Sequence, residues 1–100
     1  MKVIVAGAFR VPPGNLQRLR SHMMQMIRAS RCEEGCMIYS YGEDAGEPGL
    51  VRVFEVWRDQ AALDAHTKTD HIAAWRAAWP ALGVCDRRLT VYEVASEKPF

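Results

Sequence analysis

Cys36-Met37-Ile38-Tyr39-Ser40-Tyr41, the segment Gly42 to Gly49, and Leu50-Val51-Arg52-Val53-Phe54-Glu55-Val56-Trp57 together decide the fold. Both flanks are rich in β-branched and aromatic residues, which suit a pleated, half-buried surface. The segment between them holds Gly42, Gly46, Pro48 and Gly49 among acids, which is turn chemistry. Two strands joined by such a loop predict an antiparallel hairpin. In the first strand Met37, Tyr39 and Tyr41 alternate against Cys36, Ile38 and Ser40.

Upstream of the hairpin, Leu16, Leu19, Met23, Met26, Ile27 and Ser30 follow helical spacing, with Gln17, Arg18, Gln25 and Arg28 opposite. Asn15 is the expected N-cap and Gly35 the stop. Before that helix, Lys2 to Val11 alternates Val3, Val5, Gly7 and Phe9 against Ile4, Ala6 and Ala8. Both sets are apolar or small, so this is a central strand covered on both faces. Pro12-Pro13-Gly14 ends it. Downstream, Asp59 caps a short helix through Ala65, and Thr69 or Asp70 caps a second that Pro80 and Gly83 end. Val84 to Ala95 contains a last strand, and the tail 96–100 is free or reaches a neighbouring subunit. The order β-α-β-β-α-β is the split βαβ, ferredoxin-like arrangement, an α+β fold with an antiparallel sheet and helices on one face. It fills residues 1–100 as a single domain. The other sheet face is apolar, and a twofold homodimer packing sheet against sheet would cover it.

Composition narrows the function. The chain is 49% hydrophobic and 25% charged with a formal net charge of +1, so it lacks the basic excess of a nucleic-acid binder. The arginines between Arg10 and Arg31 are expected on a solvated helix face. No apolar run reaches the roughly 20 residues that span a bilayer, and the N-terminus reads as a strand, so the chain is expected to be cytoplasmic with no membrane partner. Cys32, Cys36 and Cys85 are odd in number and lack C-x-x-C spacing, and are expected to be small buried hydrophobes.

No dinucleotide fingerprint, phosphate loop or zinc-protease motif is present. His66 and His71 are five apart, which would put them on different sides of a continuous helix, so no metal site is expected from this pair. No cofactor is expected either. Polar and aromatic residues concentrate between Trp57 and Trp79. His71 lies near a helix N-terminus, where the dipole disfavours the imidazolium, so it is either a capping side chain or a general base. His66 ends the preceding helix, at the surface or in a pocket. Trp75 and Trp79, at i and i+4, are either core or a platform for a flat aromatic ligand. Met23, Met24, Met26 and Ile27 offer a soft apolar wall. Glu55 lies within an apolar strand and, if it faces inside, needs a partner such as Arg52 or Arg88.

The chain also resembles a known family. Glu33-Glu34-Gly35-Cys36-Met37-Ile38-Tyr39 is similar to the E-x-G-C-x-x-Y stretch of antibiotic biosynthesis monooxygenase domains. Phe54-Glu55-Val56-Trp57-Arg58-Asp59, then Ala62-Leu63, His66 and Asp70-His71, is similar to the segment that follows in them. The resemblance implies a dimeric α/β barrel made from two ferredoxin-like subunits. It implies a pocket between helices and sheet, and oxidation of a quinol or polycyclic phenol by O2 without metal, flavin or haem. On that basis His71 is the expected base and His66 its orienter. Trp75, Trp79, Met23, Ile27, Tyr39 and Glu55 are the expected substrate contacts. Haem-degrading relatives use an Asn on the first strand, where this chain has Gly7 and no Asn. An isomerase or other degrading enzyme of the same fold, and a small-ligand binder without catalysis, stay open beside the monooxygenase.

Overall fold

A computed structural model describes all residues, Met1–Phe100. The order is β1 (Val3–Arg10), a 3-10 turn (Pro13–Asn15), α1 (Leu16–Arg31), β2 (Cys36–Glu43), β3 (Leu50–Trp57), α2 (Gln60–His66), α3 (Asp70–Leu82) and β4 (Cys85–Glu93). The four strands form one antiparallel sheet in the order β2-β3-β1-β4. This is the ferredoxin-like arrangement, with the helices over one face. The sheet is open, with β2 and β4 as edges, so one chain does not make the barrel that the family resemblance implies; that needs a second copy. No helix is long and apolar enough to cross a membrane.

The β1 alternation is as its pattern predicts. Val3, Val5 and Phe9 are buried beneath the helices, joined by Val51, Val53 and Trp57 of β3 and by Leu19, Met23, Met26 and Ile27 of α1. Burying each such large side chain contributes about 1.5–3 kcal/mol. The opposite face carries Ile38, Phe54 and Tyr92, all substantially exposed. The register puts Ile38 and Val56, Val56 and Ile4, and Ile4 and Tyr92 side by side, so this apolar face runs across the whole sheet.

Several local expectations are corrected. Asn15 does not cap α1 with its side chain. Its amide instead donates to the Leu82 carbonyl at 2.9 Å and its oxygen accepts from Arg18, tying the start of α1 to the end of α3. Pro80 lies inside the last turn of α3, and Gly83, with φ 73°, ends the helix. A proline there removes only one N–H from a helix about to stop. The alternation in β2 breaks at Met37: Cys36 pairs with Trp57 and Ile38 with Val56, so Met37 is the extra residue of a bulge and Cys36 faces the core. Cys32 and Cys85 are exposed and Cys36 is half-buried, so the thiols are not the buried hydrophobes expected.

Two capping side chains position the site. Asp59 accepts from the Ala62 N–H at 2.9 Å and starts α2. Thr69 Oγ1 accepts from the Ile72 N–H at 3.3 Å to start α3, and donates to the His66 carbonyl at 2.8 Å. The chain thus turns sharply between the two helices, and residues 66 and 71 are not on one continuous helix.

Candidate functional site

Between the helix-facing side of the sheet and α2 and α3 lies a cavity of about 330 Å³. Its floor is built from two cross-strand rows. Tyr39, Glu55, Val5 and Val91 form one; Tyr41, Val53, Gly7 and Leu89 form the next. Its roof is Leu63 and His66 from α2 with Ile72, Trp75 and Trp79 from α3. The volume and the mostly apolar lining suit a small aromatic ligand. Trp75 stacks on Tyr41 at 5.7 Å and 24°, and meets Phe9 and Trp79 edge-on. Arg87 on β4 places its guanidinium 5.1 Å from the Trp79 ring centre. The Trp79 indole nitrogen is buried without a hydrogen-bond acceptor.

The cavity has a polar inner wall. Glu55 is 5% exposed and pairs with no cation. The expected partners are engaged elsewhere or absent: Arg52 bonds Asp44, and Arg88 makes no ion pair. Glu55 instead accepts from the Trp57 indole N–H at 2.9 Å. Burial raises its pKa, and the indole hydrogen bond and the more distant Arg87 only partly offset this. A carboxyl in such a place binds its proton more firmly than an exposed one. Beside it the Tyr39 and Tyr41 hydroxyls lie 2.7 Å apart, one donating to the other. Burial raises both phenol pKa values, so the pair stays protonated at any physiological pH.

The third polar feature spans three segments. Glu33, in the turn after α1, accepts two hydrogen bonds on its Oε2. His66 Nδ1 is 2.5 Å away and His71 Nε2 is 2.8 Å away. An ionised carboxylate can only accept, so Nδ1 of His66 carries the ring proton and Nε2 keeps its lone pair. That Nε2 makes no hydrogen bond within the protein, and the imidazole is part of the cavity wall. Burial lowers the His66 pKa, against the opposing pull of Glu33. The ring is therefore neutral at pH 7, with a free acceptor nitrogen beside an aromatic cavity. Trp57 and Tyr39 pack on it, with ring centres 4.6 and 5.3 Å away.

The model of the family described as antibiotic biosynthesis monooxygenase matches residues 2–78. The chain belongs to the antibiotic biosynthesis monooxygenase family. Among curated relatives, the Synechocystis protein sll1783, itself uncharacterized, is 33% identical over 93 residues, 93% of this chain; this chain spans 63% of its length. Rv0793 of Mycobacterium tuberculosis, provisionally named a monooxygenase, is 36% identical over 75 residues, covering 75% of this chain and 73% of Rv0793. The solved structure of Rv0793 superposes with a TM-score of 0.85 at 31% identity, over 99% of this chain and all of Rv0793. A Deinococcus radiodurans structure, provisionally assigned to the same family, gives a TM-score of 0.91 over 100% of this chain and 98% of that one. At 24% identity it speaks for the fold alone.

Within this family member, Trp75, Trp79, Tyr39, Glu55 and His66 line the cavity. His71 does not line it. Held on the far side of Glu33, it borders a separate small cleft with His22 and Gln25. Met23 and Ile27 are corrected too: they are core residues under α1, away from the cavity, and Met24 faces solvent. The reason is that α1 packs against β2 and α3, while the cavity lies between the sheet and the helices α2 and α3. Glu33, Phe9, Tyr41 and Arg87 were not singled out in the sequence. Glu33 stands in the quoted family motif, yet nothing local links it to histidines more than thirty residues away. Gly7 has a reason of its own. A Cβ there would meet the Arg88 carbonyl oxygen at 1.9 Å, so no side chain fits at that point of β1.

Proposed function

We propose that this chain is a monooxygenase that oxidises a phenol or quinol with O2, with no metal or organic cofactor, using His66 as the base. The observation that carries the reading is the neutral imidazole of His66, fixed at Nδ1 by Glu33 and free at Nε2, in the wall of an aromatic cavity. Trp75, Trp79 and Tyr41 hold the flat ring, with His71 on the far side of Glu33 as a positioning residue. His66 Nε2 takes the phenolic proton, which leaves an electron-rich phenolate. The phenolate passes one electron to O2, and the radical pair recombines at ring carbon as a peroxide anion. His66 returns its proton to that anion. The ring C–H proton then leaves as the O–O bond breaks. A carbonyl forms on carbon, and the expelled hydroxide combines with the proton as water. One oxygen atom ends in the quinone, the other in water, and no external reductant is consumed. Enclosure by the apolar lining limits side reactions of the peroxide.

The same reading includes a homodimer through the exposed Ile38–Phe54–Tyr92 sheet face and a cytoplasmic setting. Its test is O2 uptake by the chelator-treated protein with a panel of hydroquinones and polycyclic phenols, corrected for autoxidation. Saturable uptake is expected, and His66→Asn is expected to lower kcat by about 10²–10⁴-fold. The acid limb of kcat/KM should fall below the ordinary imidazole value of about 6.5, because burial favours the neutral ring. Equal turnover in His66→Asn would remove His66 as the base. Turnover of a phenol without O2 consumption would favour an isomerase.

A further inference from the structure

We propose that Glu33, His66 and His71 form a site for one divalent transition-metal ion of the zinc class, and that the bound ion fixes the proton of His66 on Nε2. Glu33 Oε2, His66 Nδ1 and His71 Nε2 come from three segments and lie within 4.8 Å of one another. Two imidazoles and one carboxylate are the donor set that borderline ions such as Zn²⁺ or Co²⁺ prefer. Bonds of about 2.1 Å at tetrahedral or octahedral angles put neighbouring donors roughly 3.0–3.4 Å apart. The contacts at 2.5 and 2.8 Å need open by less than about 1 Å, and the remaining separation closes, within side-chain rotation. The turn that Thr69 pins supplies the two histidines, so the helix break that defeats the five-residue spacing is what assembles the site.

Access comes from the far side of the ring. The side chain of His71 is 25% exposed and that of Glu33 is 15%, while that of His66 is 3%. His71 opens on the cleft shared with His22 and Gln25, where water can complete the coordination. The ion therefore lies behind the His66 imidazole, not in the aromatic cavity. Binding at Nδ1 displaces the proton there, and a neutral ring must then carry it on Nε2. Nε2 becomes a donor and can no longer take a proton from a ligand in the cavity. This last step rests on the proposed role of His66 as base and would make the ion an inhibitor of the oxidation.

The test is calorimetric titration of Zn²⁺ into the chelator-treated full chain, with Co²⁺ absorption as the probe of ligand type. One ion per chain is expected, with affinity weakened at least about tenfold in both Glu33→Gln and His71→Asn. Near-ultraviolet circular dichroism of the tryptophans checks that both variants stay folded. Absence of saturable uptake, unchanged affinity in both variants, or a thiolate-to-cobalt charge-transfer band from Cys32, Cys36 or Cys85 would each overturn the site. Nitrogen NMR of the His66 ring tests the tautomer without any turnover. Nε2 is expected to change from unprotonated to protonated as Zn²⁺ fills the site, and an unchanged Nε2 would overturn that half. A protein that binds Zn²⁺ as described yet consumes no O2 with any phenol would sink the oxygenase reading and leave the metal site standing.

Discussion

Glu55 is the residue whose environment departs most from its usual one. Its folded pKa is raised, so the protonated form favours the fold. That contribution is complete below the unfolded value near 4.3 and is lost as pH rises through the folded value. Glu55→Gln keeps a neutral side chain and an oxygen for the Trp57 indole at every pH. The variant should match the parent in stability near pH 4 and exceed it in Tm at pH 8. Thermal melts across pH decide it; a Tm difference that does not change with pH would mean that the fold leaves the Glu55 pKa unshifted. At this scale the sequence was half legible. The placement of Glu55 in an apolar strand marked it as unusual, but its partner was misread. Arg52 and Arg88 stand on the opposite sheet face, and the indole two residues along the same strand stands on the same one.

Among the elements, the turn between α2 and α3 matters most. Caps were readable at Asp59 and Thr69 because a side-chain oxygen before an apolar period serves the first free N–H groups of a helix. What the cap at Thr69 does for the site was not readable, since it depends on Glu33 arriving from the end of α1. Thr69→Ala removes both its bond to the Ile72 N–H and its bond to the His66 carbonyl. A loss of about 0.5–2 kcal/mol in stability is expected from urea unfolding. Because the same turn sets His66 against Glu33, kcat should fall in the folded variant while KM changes little. A change in KM alone would show that the turn serves ligand binding and not the base. The methionines of α1 teach the converse. Their helical spacing gave the buried face correctly, and only the relative placement of α1 and α3 over the sheet shows that Met23 and Ile27 stop short of the cavity.

For the whole molecule, the apolar outer face is the unfinished part. A sheet with Ile38, Phe54 and Tyr92 exposed on its outer side, and with β4 open at its edge, suits a second copy packed face to face. Phe54→Lys, near the middle of that face, should convert a dimer into monomers in sedimentation equilibrium and lower Tm. A wild-type chain that sediments as a monomer at high concentration would remove the dimer. The order of elements along the chain and the two-faced apolar pattern of β1 followed from local patterning. The open sheet and the placement of the cavity under α3 are long-range outcomes that alternation does not encode.

The arrangement of the tryptophans has a practical side. Trp75 and Trp79 line the cavity, and Trp57 lies under His66 and Glu55. All the indoles of the chain therefore surround one small volume, and the molecule carries its own optical reporter. Intrinsic emission should respond to anything that enters, to the ionisation of Glu55 and to the state of His66, so occupancy can be followed with no label on either ligand or protein.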